Sequence, residues 1–184
     1  MKIYFAGGLF DHKELAGNAL LAEAIVEASG GKYECILPQN FESRGKHPKD
    51  IRNADIDALL SCDAALFNYD GTELDSGTVV EYMFAKFADK PAVLLRTDFR
   101  GGGDCADFDE CPPWNLMSSF YPRTRTLILN AGEIYAKNGR DYRAAIREIA
   151  ERTIKELDSV AETPSIMPPD CREKIGKWLS IITR

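Results

Sequence analysis

The stretch Asp70-Gly-Thr-Glu-Leu-Asp-Ser-Gly-Thr-Val-Val-Glu81 sets four carboxylates and two glycines close together. Crowded carboxylates suit general acid–base work or attack on a carbon that gathers positive charge, because burial and like charges push their proton affinities apart. Upstream, Ala64-Ala-Leu-Phe-Asn68 is a short apolar run of the kind found in the middle of a parallel sheet. Downstream, Val80, Met83, Phe84 and Phe87 recur at helical spacing, which predicts a helix with these residues on its inward face. Strand, loop and helix follow in that order, so the loop lies at the carboxyl end of the strand, where open α/β sheets bind ligands. Glu81 falls about one turn into the helix, partly desolvated and near the positive end of its dipole. Taken alone, Glu81 and Asp75 fit better as a helix-start acid and a surface charge. The rest of the chain shifts that balance.

A chain of 184 residues is long enough for one domain with an ordinary core. Its 45% apolar and 28% charged residues and formal net charge of −6 point to a globular protein and away from a binder of nucleic acid. Met1-Lys-Ile-Tyr-Phe-Ala6 enters a strand at once, and no apolar run approaches the ~20 residues that span a bilayer. No signal peptide or membrane segment is therefore expected, and a cytoplasmic location is the default. Five cysteines without a Cys-x-x-Cys pair argue against a disulfide framework or a zinc site, and Cys35 and Cys62 read as core hydrophobes.

Taken in order, residues 2–6 read as a strand and Gly7-Gly-Leu-Phe10 as the turn after it. A helix over 13–28 follows, with Leu15, Ala19, Ala22, Ile25 and Val26 inward, and Gly30-Gly31 ends it. Glycines after a first strand let a sugar or phosphate approach the backbone, but a phosphate there needs cations and Lys13 is the only obvious one. With no Gly-x-Gly-x-x-Gly and no Walker lysine, neither dinucleotide nor triphosphate binding is supported. A strand over 33–37 leads to a polar connection, 38–47, that is a candidate rim of the site. The helix over 50–61 sets Ile51, Ala54, Ala58 and Leu59 on one side and contains Asp55 and a solvated Asp57. Further strands are expected at 64–68, 91–96 and 126–130. Between the last two lies an acidic, glycine-rich loop, 97–110, that lacks the calcium-loop pattern; no metal is expected there. Trp114, Leu116 and Met117 beside a double proline form either a rigid apolar interface or the closure of the chain's own core. A helix over 142–160, with Ile146, Ile149, Ala150, Thr153, Ile154 and Leu157 buried, completes a domain of residues 1–160. Residues 161–184 form a tail with a short basic amphipathic helix around 175–181.

Strands alternating with helices predict an α/β fold: a flavodoxin-like, doubly wound five-stranded parallel sheet with helices on both faces. In that order the ends of the first and third strands meet, which brings residues 4–10 opposite 70–81. Tyr4, Phe5 and Phe10 are there to stack on a flat ring, and the carboxylates to handle a sugar or a proton.

In Ile3-Tyr-Phe-Ala-Gly7, Asn53-Ala-Asp-Ile56, Leu74-Asp-Ser-Gly-Thr-Val-Val-Glu-Tyr82 and Asn115-Leu-Met-Ser118, the chain resembles the nucleoside 2-deoxyribosyltransferases, in their order and over roughly residues 1–135. The resemblance implies a cofactor-free exchange of the base of a 2′-deoxynucleoside for another free base. It implies Glu81 as nucleophile, Asp75 as the residue that orients or tunes it, Asp55 as the acid that protonates the leaving base, and Tyr4 as a hydrogen-bond partner beside the nucleophile. Substrate is expected to meet Gly7, Phe10, Asn115 and Met117, with Asn115 reaching the sugar from a neighbouring subunit of a homo-oligomer. The chemistry is compatible with the residues themselves, since a carboxylate can trap an oxocarbenium-like sugar as an ester while an acid assists departure of the base. Two rival readings use the same residues: an N-glycosidase in which water takes the sugar, and a non-catalytic nucleotide-sensing module of like fold.

Overall fold

Short apolar strands whose side chains alternate between two buried faces need a layer of helices above and below. A computed structural model, describing residues 1–41, 47–101, 103 and 111–183, has that arrangement. Strands β1 (Lys2–Ala6), β2 (Glu34–Ile36), β3 (Ala64–Asn68), β4 (Ala92–Arg96) and β5 (Thr124–Ile128) form one parallel sheet in the order β2-β1-β3-β4-β5. This is the expected flavodoxin-like order. The α-helices among the described residues are α1 (His12–Ala28), α2 (Pro48–Ser61), α3 (Ser76–Phe87), α4 (Ala131–Lys137), α5 (Tyr142–Ala161) and α6 (Pro169–Ile182). Alternation within β1 separates the layers. Ile3 and Phe5 join Leu21, Ile25, Ile149 and Leu157 beneath α1 and α5, while Tyr4 and Ala6 join Leu59, Phe67 and Tyr82 beneath α2 and α3.

Several elements depart from the sequence reading. The inward face of α3 is Thr78, Tyr82 and Ala85, whereas Val80 and Phe87 are exposed, so the stripe Val80, Met83, Phe84 and Phe87 is not the buried one. Tyr82 explains the rotation, because its ring meets Phe67, Tyr69 and Tyr121 edge-on at centroid distances of 5.3, 6.1 and 5.9 Å. In α1 the buried residues are Asn18, Leu21, Ala22 and Ile25, and Leu15 and Val26 face outward. Strand β5 starts and ends two residues earlier than expected: its start pairs with β4 at Ala92, and Asn130, expected in the strand, caps α4 by accepting the Glu133 amide. That short helix was not foreseen. Cys111 is disulfide-bonded, against the expectation of no disulfide, while Cys35, Cys62 and Cys171 are free thiols. Within the polar connection 38–47 and the acidic loop 97–110, residues 42–46, 102 and 104–110 lie outside the described residues. Among the described residues no helix is long and apolar enough to cross a membrane.

The base of α3 is pinned by one buried cation. Lys86 donates to the carbonyls of Lys90 (2.7 Å) and Arg123 (3.0 Å) and to Thr124 Oγ1 (3.0 Å), which ties α3 to the chain entering β4 and β5. Burial, with the nearby Arg123 charge adding to it, pushes this ammonium down from 10.5 to about 7. Between those values the unfolded chain holds the proton that the folded chain has released. Stability therefore grows as pH rises through the window and is lost as pH falls toward the lower value. Urea midpoints measured at about pH 7 and 9 should rise for the native chain. The rise should shrink in Lys86→Met; an unchanged rise would assign the effect to other groups.

Candidate active site

Because β1 and β3 are neighbours, the loops leaving them crowd together at the carboxyl edge of the sheet. A Cβ on Gly7 would sit 3.1 Å from Asn68 Cβ and 3.3 Å from Asn18 Oδ1, so the glycine is what lets the two strand ends approach. One on Gly8 would meet the Glu14 carboxylate at 2.6 Å. The turn is held from α1: Asn18 donates to the Gly8 carbonyl at 2.9 Å, and Glu14 Oε2 accepts the Phe10 amide at 2.8 Å. Asn18 and Glu14 thus shape the site, and neither was singled out from the sequence. A usable signal existed for Asn18, since an asparagine in line with Leu21 and Ala22 on a buried helical face must bond something.

The central contact is between Tyr4 and Glu81. Tyr4 is fully buried in β1, and its hydroxyl donates to Glu81 Oε1 at 2.6 Å. That length is within the range of ordinary O–H···O hydrogen bonds. The bond joins β1 to the second turn of α3 and aims a half-buried carboxylate along the β1 side of the helix.

Asp75 is the N-cap of α3, with Oδ2 accepting from the Thr78 amide at 2.7 Å and from Thr78 Oγ1 at 2.8 Å. It therefore sets the start of the helix that carries Glu81. Asp55 lies on α2 between the half-buried and buried sides of that helix, beside Ile56 and one turn before Leu59, with Oδ1 shielded from solvent. Helix α2 packs on α3. Of the remaining carboxylates in the opening stretch, Asp70 accepts from Thr97 Oγ1 and the Asp98 amide, both at 2.8 Å, and so fastens β3 to β4.

The expected aromatic wall is not built as read. Phe5 points to the opposite face of the sheet from Tyr4, and Phe10 is 79% exposed on the turn. Trp114, one of the residues offered as an interface, belongs to the chain's own core: it meets Tyr69 edge-on at 5.2 Å and donates from Nε1 to Ser119 Oγ at 3.0 Å. Asn115 caps the short turn Leu116–Ser118, accepting the Met117 amide at 2.9 Å. Asn115 and Met117 line a cavity of about 850 Å3 with Val79, Val80 and Met83. Neither Glu81 nor Tyr4 lines it, so within one chain the structure joins Tyr4 to Glu81 but leaves Asn115 on the other flank of α3.

No curated protein matches the chain in sequence. Among solved structures, a conserved protein from Enterococcus faecalis V583 superposes with a TM-score of 0.55 at 24% identity, over 86% of this chain and 98% of that one. A 2-desoxiribosyltransferase from Leishmania mexicana superposes with a TM-score of 0.53 at 22% identity, over 82% and 97%. At such identities the likeness is one of fold. The model of the family described as nucleoside 2-deoxyribosyltransferase matches residues 3–117, a span that holds Tyr4, Asp55, Asp75, Glu81 and Asn115, and by that match the chain belongs to this family.

Proposed function

We propose that the protein exchanges the base of 2′-deoxynucleosides through a deoxyribosyl ester on Glu81. The observation that carries the reading is the Tyr4–Glu81 hydrogen bond at the switch point of the sheet. In the first step a Glu81 carboxylate oxygen bonds to C1′ of the sugar as the bond from C1′ to the base nitrogen breaks, and Asp55 gives its proton to the departing base. In the second, a nitrogen of the incoming base bonds to C1′, the ester bond breaks, and the proton shed by that base returns to Asp55. Two inversions leave the configuration retained. Tyr4 holds the nucleophile in place, and Asp75 positions it by capping the helix. Gly7 keeps the sugar's approach open, and Phe10 is the aromatic group on the turn available to cover the base.

Incubation with a deoxynucleoside, with and without a second free base, should give the exchanged nucleoside; free deoxyribose in both cases would favour the hydrolytic alternative, and no turnover the sensing one. A slow 2-fluoro-2-deoxynucleoside should add one sugar mass to the peptide containing Glu81. Glu81→Ala should lower kcat by a factor on the order of 10³ or more. Label on another residue, or near-native turnover of Glu81→Ala, would remove Glu81 from the mechanism.

Tyr4→Phe deletes a hydroxyl bonded to a charge, worth about 1.5–3 kcal/mol, and should slow exchange roughly ten- to hundredfold. The loss should appear in kcat with KM little changed. A loss confined to KM would make Tyr4 a binding group and not a holder of the nucleophile.

The reading also makes the active form an oligomer in which Asn115 and Met117 reach the substrate of a second copy. Three observations support it. Asn115 is on the far flank of α3 from Glu81 in its own chain. Of the stripe that sequence periodicity assigned to the core, Val80 and Phe87 are exposed, while Met83 and Phe84 are only partly buried. The stripe lies on a helix that packs against the turn bearing Leu116 and Met117, with Met117 76% and Phe120 71% exposed, which makes an apolar surface for a partner. Mixing Glu81→Ala with Asn115→Ala chains under conditions of subunit exchange should restore activity, because some sites then combine an intact residue from each. Mixed oligomers that stay inactive, or a fully active monomer in sedimentation, would refute the shared site.

A further inference from the structure

At the end of the sheet opposite Glu81, a cavity of about 680 Å3 opens between α6 and the loops that enter β3, β4 and β5. Its charged lining is Lys90, Arg123 and Arg172 against Asp63 and Asp89. Both acids are already engaged. Asp89 Oδ2 accepts from Ser165 Oγ (2.5 Å) and from the amides of Ile166 (3.1 Å) and Met167 (3.2 Å), and pairs with Arg123 Nη1 at 2.9 Å. Asp63 accepts the Lys2 amide at 2.8 Å.

The cations are less well served. Lys90 Nζ donates to the carbonyl of Cys62, and Arg172 Nη2 to Ser165 Oγ at 2.6 Å, both neutral oxygens. Arg123, whose side chain is 10% exposed, has an Nε with no hydrogen-bond partner among the described residues. A buried guanidinium N–H without an acceptor is expensive and is seldom left so. Asp89 and Arg123 moreover both hold left-handed backbone, at φ 54° and 52°, a conformation that arginine does not favour and that persists where the surroundings impose it. The chain Arg172–Ser165–Asp89–Arg123 links the two guanidinium groups through successive hydrogen bonds, so they face one space.

We propose that this cavity binds the phosphate group of a small phosphorylated molecule, with Lys90 and Arg172 around its oxygens and the Arg123 guanidinium lining the same space. Guanidinium forks and an ammonium are the donor set that phosphate oxygens match. Leu60, Met167, Ile175 and Leu179 supply an apolar wall for the organic part. Since Arg172 belongs to α6 while Lys90 and Arg123 belong to the body, the ligand ties the tail to the sheet. The site is separate from the proposed reaction and does not depend on it.

Calorimetric titration of the full chain with deoxyribose 5-phosphate and, separately, with inorganic phosphate tests the assignment. Saturable binding of one molecule per chain with a Kd of about 1 mM or tighter is expected. It should weaken at least about tenfold in Arg172→Ala, an exposed position whose truncation leaves the fold, and in Lys90→Met, while Glu81→Ala binds as the native chain does. Tighter binding of the ester would show that the apolar wall holds the organic part, and equal binding that the phosphate alone is read; both support the site. Absence of saturable binding to either probe, or binding lost in Glu81→Ala but kept in Arg172→Ala, would overturn it.

Discussion

The rotational setting of α3 about its own axis decides where nearly everything of interest lies. That setting is imposed by Tyr82, fully buried and wedged among three aromatic rings, with its hydroxyl within 3.2 Å of Thr124 Oγ1. Successive residues of a helix are turned by about 100°, so anchoring position 82 sends Glu81 to the β1 flank and Val80 and Met83 toward the other. One residue of slippage would trade the carboxylate for a valine at the Tyr4 hydroxyl. Asp75 at the head of the helix and Lys86 near its foot hold the same setting from both ends.

Charge in the loop after β3 is tolerated because most of it is bonded at once. Asp70 and Asp75 each accept from backbone amides and a threonine hydroxyl, so their oxygens have donors. Glu81 is bonded instead to a side chain from another element, so its position depends on the tertiary fold. Two acids are tied to the loop after β4 and to the helix start and one is tied to a distant strand, although all three come from the same short stretch.

Sheet order, and with it the meeting of the β1 and β3 ends at the candidate site, was readable because it rests on strong local signals: apolar runs for β1, β3 and β4, and glycines where the strand ends meet. The face of α3 was not readable. Periodicity weighs valine, methionine and phenylalanine above tyrosine and threonine, yet an aromatic cluster with a bonded hydroxyl buries Tyr82 completely. Trp114 was left between an interface and the core for a related reason, since nothing local reveals that Tyr69 and Ser119 await it. Strand β5 slipped because Leu127 and Ile128 read as a strand centre, while the pairing that fixes its start comes from β4. The pairing of Tyr4 with Glu81 joins positions far apart in sequence, and there only the family motifs pointed to both.

The layer beneath α1 has a consequence for how the chain is made. Leu21 and Ile25 are covered by Ile149 and Leu157 of α5, roughly 120 residues later in the chain. At synthesis rates of about 5–20 residues per second, the apolar side of α1 leaves the ribosome on the order of ten seconds before its cover exists. During that interval β1 can pair with β2 and then with β3, but the face of the young sheet that carries Ile3 and Phe5 stays open to water and to other nascent chains. The protein thus emerges with its first strand half clothed, and molecular chaperones have their window there.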